Sequence, residues 1–274
     1  MSITKRKPAD EVSEENFDEV FDGTGMVAMP GMTDAHVHMG CLFAKGEFPV
    51  DYATVLTVAK CKDALMAGFT TFRDAGSVSE GLKLAFDEGV LPGPRIYPCG
   101  AYISQTCGHG DSEYAHTYRD IQYRHPSSTV LADGVPEIIR AVREQFYRGA
   151  SHIKLMATEI LNRHEDIRLL FGTDMMITGP DYQVEQSEDI RYYEKRFGTM
   201  RALRALTGTA NEVFALTTYQ NPYPKGKIGV LEAGSYADLL LVDGDPTKSV
   251  SVLADTDHLR LIMKGGTVYK NTLC

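Results

Sequence analysis

The sequence predicts an α/β protein, and three observations carry that expectation. Strand-like and helix-like segments alternate four times in series between Met26 and Ala157, the pattern of parallel βα units. A histidine-rich polar cluster follows directly on the first of those strands. A Gly-punctuated, strand-forming tail then replaces the alternation. Hydrophobic content of 43% and charged content of 24% are those of an ordinary globular chain.

The elements follow in order. Residues 1–25 are polar, weakly patterned and expected to be poorly ordered. Met26 to His38 reads as a strand ending in a polar cluster. Residues 51–67 carry Tyr52, Val55, Leu56, Ala59 and Leu65 at helical spacing, and Gly68 is the helix stop. Phe69 to Arg73 is rich in β-formers. A second helix runs from Ser79 to Gly89, and Arg95-Ile96-Tyr97 opens a third strand after Pro92-Gly93-Pro94.

A long excursion spans Gly100 to Asp133. Asp133 is the expected cap of a helix over 135–148, whose apolar set is Val135, Ile138, Ile139, Val142 and Phe146. Ser151 to Ala157 reads as a fourth strand, Glu159 to Arg168 as a short helix, and Leu169 to Thr173 as a buried strand. The tail, 225–274, holds Ala237–Val242, Leu261–Lys264 and Thr267–Tyr269, with Gly265-Gly266 as a hairpin signal.

Charge and cysteine usage narrow the functions. A net charge of −9 argues against nucleic acid as partner, because phosphate neutralisation needs a basic face. Cys41, Cys61, Cys99, Cys107 and Cys274 are scattered and form no CxxC pair, which fits a reducing compartment. The first residues lack a signal-peptide pattern, and no apolar run reaches a membrane span. A cytoplasmic protein without membrane contact is expected.

The chemistry starts at His36 and His38. Residues i and i+2 on a strand share a face, so both imidazoles can point at one centre. A lone His-x-His pair is a weak signal; its setting makes it specific. Pro30-Gly31-Met32-Thr33-Asp34-Ala35-His36-Val37-His38 resembles the hallmark of the amidohydrolase superfamily, in its prolidase-like and imidazolonepropionase-like branch. The resemblance implies that His36 and His38 bind a divalent metal, Zn first.

Lys154 by itself reads as a strand-end lysine reaching solvent. The resemblance of Gly149 to Ala157 to the family's fourth strand implies instead a carbamylated lysine that binds metal as a carboxylate. Asp174, on its own a polar loop residue, takes by the same resemblance the place of the last-strand aspartate. That residue binds metal and accepts the proton of the attacking water. His109, in Gly108-His109-Gly110-Asp111, resembles a substrate-facing loop, although loop histidines are often ordinary surface residues. Arg73-Asp74 reads as structural pairing, and His116, His125, His152 and His258 have no ligand context. Gly226 to Leu239 and Lys264 to Tyr269 are similar to the segments that close the family's small β-sandwich.

The implied fold is an incomplete (β/α)8 TIM-type barrel over residues 26–224, with a β-sandwich remnant formed mainly by 225–274. Nineteen residues separate Lys154 from Asp174, too few for strands five to seven when one βαβ unit takes ~30 residues. The seam falls at Thr158-Glu159, and His164 is the one histidine in the link. An open remnant exposes strand edges, so pairing with a second copy of the chain is one expectation. The implied function is metal-assisted hydrolysis of C–N bonds in small molecules such as N-acyl amino acids or dipeptides. The alternative is a catalytically incomplete remnant with no turnover. A nucleotide-binding module is not supported, for no P-loop or GxGxxG follows a strand.

Overall fold

The computed structural model describes residues 3, 19–39, 50–76, 80–111, 129–156, 168–176 and 182–273, without the side chains of residues 50, 53, 175, 176 and 182. In chain order the elements are β1 (Val27–Pro30), β2 (Met32–His38), α1 (Val50–Met66), β3 (Phe69–Asp74), α2 (Glu80–Asp87), β4 (Arg95–Tyr97), β5 (Tyr102–Ser104) and β6 (Thr129–Leu131). There follow α3 (Val135–Tyr147), β7 (Met175–Met176), α4 (Tyr182–Phe197), α5 (Thr199–Leu206), α6 (Gly208–Phe214), β8 (Leu239–Val242), β9 (Leu259–Lys264) and β10 (Thr267–Asn271). Short 3-10 turns occupy Ala215–Gln220, Val250–Ala254 and Thr256–His258. The protein is α/β. No helix among the described residues is long and apolar enough to cross a membrane.

Three sheets form. A parallel sheet has the order β4-β3-β2-β7, an antiparallel sheet the order β1-β8-β9-β10, and β5 pairs in parallel with β6. β2, β3 and β4 of the parallel sheet are buried on both faces, as parallel sheets require. Phe72 and Ile96 enter a core with Cys61, Ala64 and Leu65 of α1 and Phe86 of α2. Tyr97, one residue beyond Ile96, lies in a separate cluster with Ala210 and Phe214 of α6, Tyr223 and Ile228. Adjacent strand residues point to opposite faces, so α6 covers the sheet from the side opposite α1. Tyr97 stacks on Phe214 with ring centres 3.9 Å apart.

A buried ion pair ties the parallel sheet to the antiparallel one. Arg95 of β4 donates from Nε to Asp238 Oδ2 at 2.9 Å and from Nη2 to Oδ1 at 3.0 Å. The hairpin between β9 and β10 turns on Gly265 and Gly266, both at positive φ (58° and 84°), the conformation that a type I′ turn demands.

Several expectations are corrected. α1 runs over Val50–Met66 but buries Thr57, Cys61, Ala64 and Leu65, while Tyr52, Val55 and Ala59 are exposed. Asp133 does not cap α3. Its carboxylate accepts from Thr106, and Gly134 stands at the cap with no side-chain bond. Val135, Ile138 and Ile139 face solvent, and α3 buries Ala141 and Gln145 instead.

Ser151 to Met156 is not a full strand. Ile103 N donates to Lys154 O and Met156 N to Ile103 O, both at 2.9 Å, giving one bridge at Leu155. Leu169 to Thr173 is not a strand either. Phe171 donates its N–H to Ala205 O of α5 at 3.1 Å, so it spends its donor on a helix end, and the ladder begins at Met175. The excursion 100–133 carries β5 and β6, which the reading of the sequence missed. Most of residues 1–25, Ser79, His116, His125, the Thr158-Glu159 seam, the Glu159–Arg168 helix apart from its last residue and His164 lie outside the described residues.

α4 is anchored at its far end by Glu194. Its carboxylate accepts from Thr199 Oγ1 (2.9 Å), Ser249 Oγ (2.8 Å), Ser251 Oγ (2.5 Å) and the amides of Val250 (3.0 Å) and Ser251 (3.2 Å). Partial burial pushes this carboxyl up, but the bonds from Ser251, Ser249, Thr199 and Val250 outweigh it and leave the group at about 2. The folded value lies below the ordinary 4.5. The resulting stability is therefore complete above about pH 4.5 and drains as pH falls towards about 2. Glu194→Gln is expected to cost ~1–2 kcal/mol near neutral pH. It should also flatten the difference in urea-unfolding stability between those two pH values. An unaltered acid limb in the variant would refute this account.

Candidate metal centre

β2 delivers His36 and His38 to the C-terminal end of the parallel sheet, where β7 begins beside it. The segment 171–174 reaches the same place by a close backbone approach. Ala35 N donates to Phe171 O at 2.8 Å and Asp174 N to His36 O at 2.7 Å. Gly172 makes that approach possible: a Cβ there would stand 2.7 Å from His36 Cβ and 3.1 Å from His36 N. Asp174 itself has φ 56°, a left-handed conformation uncommon outside glycine but tolerated by Asp.

The side chains converge. His36 Nε2 lies 2.9 Å and His38 Nε2 3.2 Å from Asp174 Oδ1. The ligand atoms of these three residues all fall within 4.8 Å of one another. Donors held ~2.0 Å from a tetrahedral ion sit roughly 3.3 Å apart, close to the 2.9 and 3.2 Å that separate Asp174 Oδ1 from the two imidazoles. Lys154 Nζ lies 2.8 Å from His36 Nε2. All four residues singled out as metal ligands from the sequence are thus neighbours. His109 is not among them: it is exposed on the loop after β5 and makes no hydrogen bond to the trio.

Burial, followed by the positive charge of Lys154, pushes His36 down to about 4. At neutral pH it is therefore an uncharged imidazole, the form that binds cations. The buried Nδ1 of His38 has no hydrogen-bond partner among the described residues, so that ring meets the cluster through Nε2 alone. Asp174 is 70% exposed at its side chain, which leaves its second carboxylate oxygen open to solvent.

A second layer of residues fixes this geometry. Asp34, fully buried, accepts from His36 N (3.2 Å), Thr173 N (3.3 Å), Thr173 Oγ1 (3.0 Å) and Gln186 Nε2 of α4 (3.2 Å). Burial drives its carboxyl up to about 6, against the pull of those donors. Asp74 accepts from Met39 N and Gly76 N, both at 3.3 Å. Arg73 and Asp74 form no pair with each other; Arg73 Nη1 donates to Ala35 O at 3.4 Å. His152 has both ring nitrogens engaged, with Asp74 O at 3.1 Å and Ser151 Oγ at 3.0 Å. Burial first, then Arg73, lowers it to about 3. The reading of the sequence gave no role to Asp34, Thr173 or Gln186. Asp34 stood inside the motif, whereas nothing around Gln186 marks it.

A histidine–carboxylate trio at the C-terminal end of a parallel sheet could hold a metal ion. The sequence signature of the amidohydrolase family matches residues 27–167, just over half of the 274 residues, and the chain belongs to that family. It is 34% identical over 152 residues to ochratoxinase from Aspergillus niger, a stretch covering 48% of this chain and 31% of ochratoxinase. The chain thus spans about a third of the length of the curated relatives it matches. The fold is similar to that of a crystallised amidohydrolase (TM-score 0.81, 22% identity, 98% of this chain and 92% of that one). It is also similar to A. niger ochratoxinase (TM-score 0.71, 20% identity, 89% and 83%). A third likeness is to a prolidase complexed with N-methylphosphonate-L-proline (TM-score 0.69, 20% identity, 90% and 88%).

Proposed function

We propose that this chain is a metal-dependent amidohydrolase that cleaves C–N bonds of small molecules such as N-acyl amino acids or dipeptides. The single observation that carries the reading is the convergence of His36, His38 and Asp174 within 4.8 Å. Neutral imidazoles with one carboxylate suit Zn. When bound, such an ion supplies Lewis acidity and lowers the pKa of water. Asp174, its outer oxygen open to solvent, is the group that takes the proton of the attacking water. His109 is kept as a residue that contacts substrate from the loop after β5.

Lys154 has two states in this reading. As an amine it hydrogen-bonds to His36 and competes with a cation for Nε2. Carbamylated, it becomes a carboxylate at the same place and joins the ligand set. Soaking the protein in bicarbonate with Zn is expected to add the mass of one CO2 to the intact chain, seen by native mass spectrometry, and to add none to Lys154→Met. Lys154→Met should then lower Zn affinity by roughly 10–100-fold. Full affinity in that variant would remove Lys154 from the centre.

The parallel sheet is read as the retained arc of a (β/α)8 barrel. β7, the last strand of that arc, pairs with β2, the first, as closure of such a ring requires. Strands five to seven would belong in the nineteen residues between Lys154 and Asp174, and the β1-β8-β9-β10 sheet is the sandwich remnant. That short link also supports a second reading, a remnant that no longer turns over. Metal analysis with an acyl-amino-acid hydrolysis assay separates the two. One or more Zn per chain with turnover supports the enzyme; Zn bound without turnover supports the remnant; no Zn at saturating concentration overturns the centre itself.

A further inference from the structure

Where β9 of the antiparallel sheet meets the segment before β4 of the parallel one, an amine is buried without a counter-ion. Lys264, the last residue of β9, is 6% exposed, and its Nζ donates to Gly93 O. Among the described residues that carbonyl is its one hydrogen-bond partner, and no carboxylate stands within ion-pair distance of it. The acids that face it are already engaged. Asp238, ahead of β8, accepts from Arg95 Nε and Nη2 and, at 2.7 Å, from Gly265 N. Asp87, at the end of α2, accepts from Lys83 Nζ at 2.6 Å and from Tyr223 Oη at 3.0 Å. The other groups facing the amine are the Cys61 thiol of α1 and the Arg95 guanidinium of β4, with the Tyr269 ring of β10 6.0 Å away. A Cβ on Gly93 would stand 2.6 Å from the Phe86 ring, so the acceptor lies on a tightly packed segment.

We propose that Lys264 is a proton-operated joint between the two sheets, closed by the neutral amine and loosened by the ammonium. An ammonium carries three N–H donors, and the described residues offer it one acceptor. Burying an unpaired charge is costly, whereas a neutral amine keeps the bond to Gly93 O without that cost. Burial, followed by Arg95, pushes the amine down to about 8, against the pull of Asp238, Asp87 and Cys61. Arg95 keeps its own charge throughout, so the change of protonation falls on Lys264. The folded value lies below the ordinary 10.5, because water reaches the amine only when the joint is open. Closure is therefore strongest above about pH 10.5 and weakens as pH falls through about 8.

Cys61 is a local gauge of that opening, since its thiol is buried against the joint while Cys107 is exposed on the loop after β5. The test is alkylation of the full chain with iodoacetamide from about pH 6 to about pH 9, each thiol followed by peptide mass mapping. Dividing the Cys61 rate by the Cys107 rate removes the rise in thiolate that both share. The ratio should stay level from about pH 6 to 7 and fall about tenfold from about pH 7 to 9. Lys264→Gln keeps an uncharged donor for Gly93 O, and its ratio should stay level across the whole range. A ratio in the parent that is constant or rises with pH overturns the proposal. So does a Cys61 that stays unlabelled at every pH, or an equal fall in folded Lys264→Gln. The parent's own ratio decides the matter if the variant does not fold.

Discussion

Replacing His38 with asparagine is expected to lower Zn affinity on the order of 10^3-fold. Protein metal sites with a full ligand set bind with ~10–16 kcal/mol at neutral pH. One ligand of the trio therefore accounts for ~3–5 kcal/mol, or a factor of 10^2 to 10^4. His38 is the apt member to remove. Its ring meets the cluster through Nε2 only, so no second bond of that ring is lost and the fold around Val37 and Met39 keeps its packing. Competition against a chromophoric chelator reads the affinity, and circular dichroism verifies the fold. A folded variant within threefold of the parent would show that His38 is a spectator. If the parent turns over, hydrolysis should fall with occupancy, because Asp174 alone activates water poorly.

The second large effect belongs to Asp34. Alanine at this position strands four donors: two backbone amides, the Thr173 hydroxyl and the Gln186 amide. Each unsatisfied buried group costs ~1–3 kcal/mol, partly offset because the parent must bury a charge. A loss of ~3–5 kcal/mol in urea unfolding is expected, together with a weaker metal centre, since Thr173 and His36 lose their common anchor. Asparagine separates charge from shape. Burial raises the Asp34 carboxyl from 3.8 to about 6. Relative to Asp34→Asn, the chelated parent should therefore gain stability as pH falls from above 6 towards 4, and lose it again as pH rises through 6. Parallel stability curves for parent and Asp34→Asn across that window would sink the assignment.

The motif and the family resemblance picked out the candidate ligands better than local spacing located the strands that hold them. Two-residue periodicity puts His36 and His38 on one strand face, a weak signal until the resemblance of Pro30–His38 to the family motif made it specific, and the same resemblance added Lys154 and Asp174. The local signal failed where long-range partners decide the outcome. Ser151–Ala157 has β propensity, yet among the described residues it finds a ladder partner only at Ile103, so a single bridge forms. Leu169–Thr173 is apolar enough for a strand, yet Phe171 gives its N–H to α5. α3 shows the same limit from the other side. Its larger apolar residues, Val135, Ile138 and Ile139, face outward, while Gln145 is buried because Ala101 N donates to its Oε1 at 2.9 Å. Nothing in the spacing around Gln145 or Gln186 announces a buried acceptor or donor. Those roles exist only once β2, β5 and α4 are in place.

The closeness of Gly172 to His36 has a thermodynamic consequence. Sequence positions 136 apart, His38 and Asp174, present their side chains to one point, so a cation there would act as a clasp between the start and the finish of the parallel arc. A ligand that binds only the closed form raises the unfolding free energy by ~2.7 kcal/mol at a hundred times its dissociation constant. Melting temperature should therefore climb with free Zn, and the climb should vanish in Gly172→Ala, whose added methyl wedges the two segments apart. The protein would then owe part of its equilibrium stability to the trace metal around it.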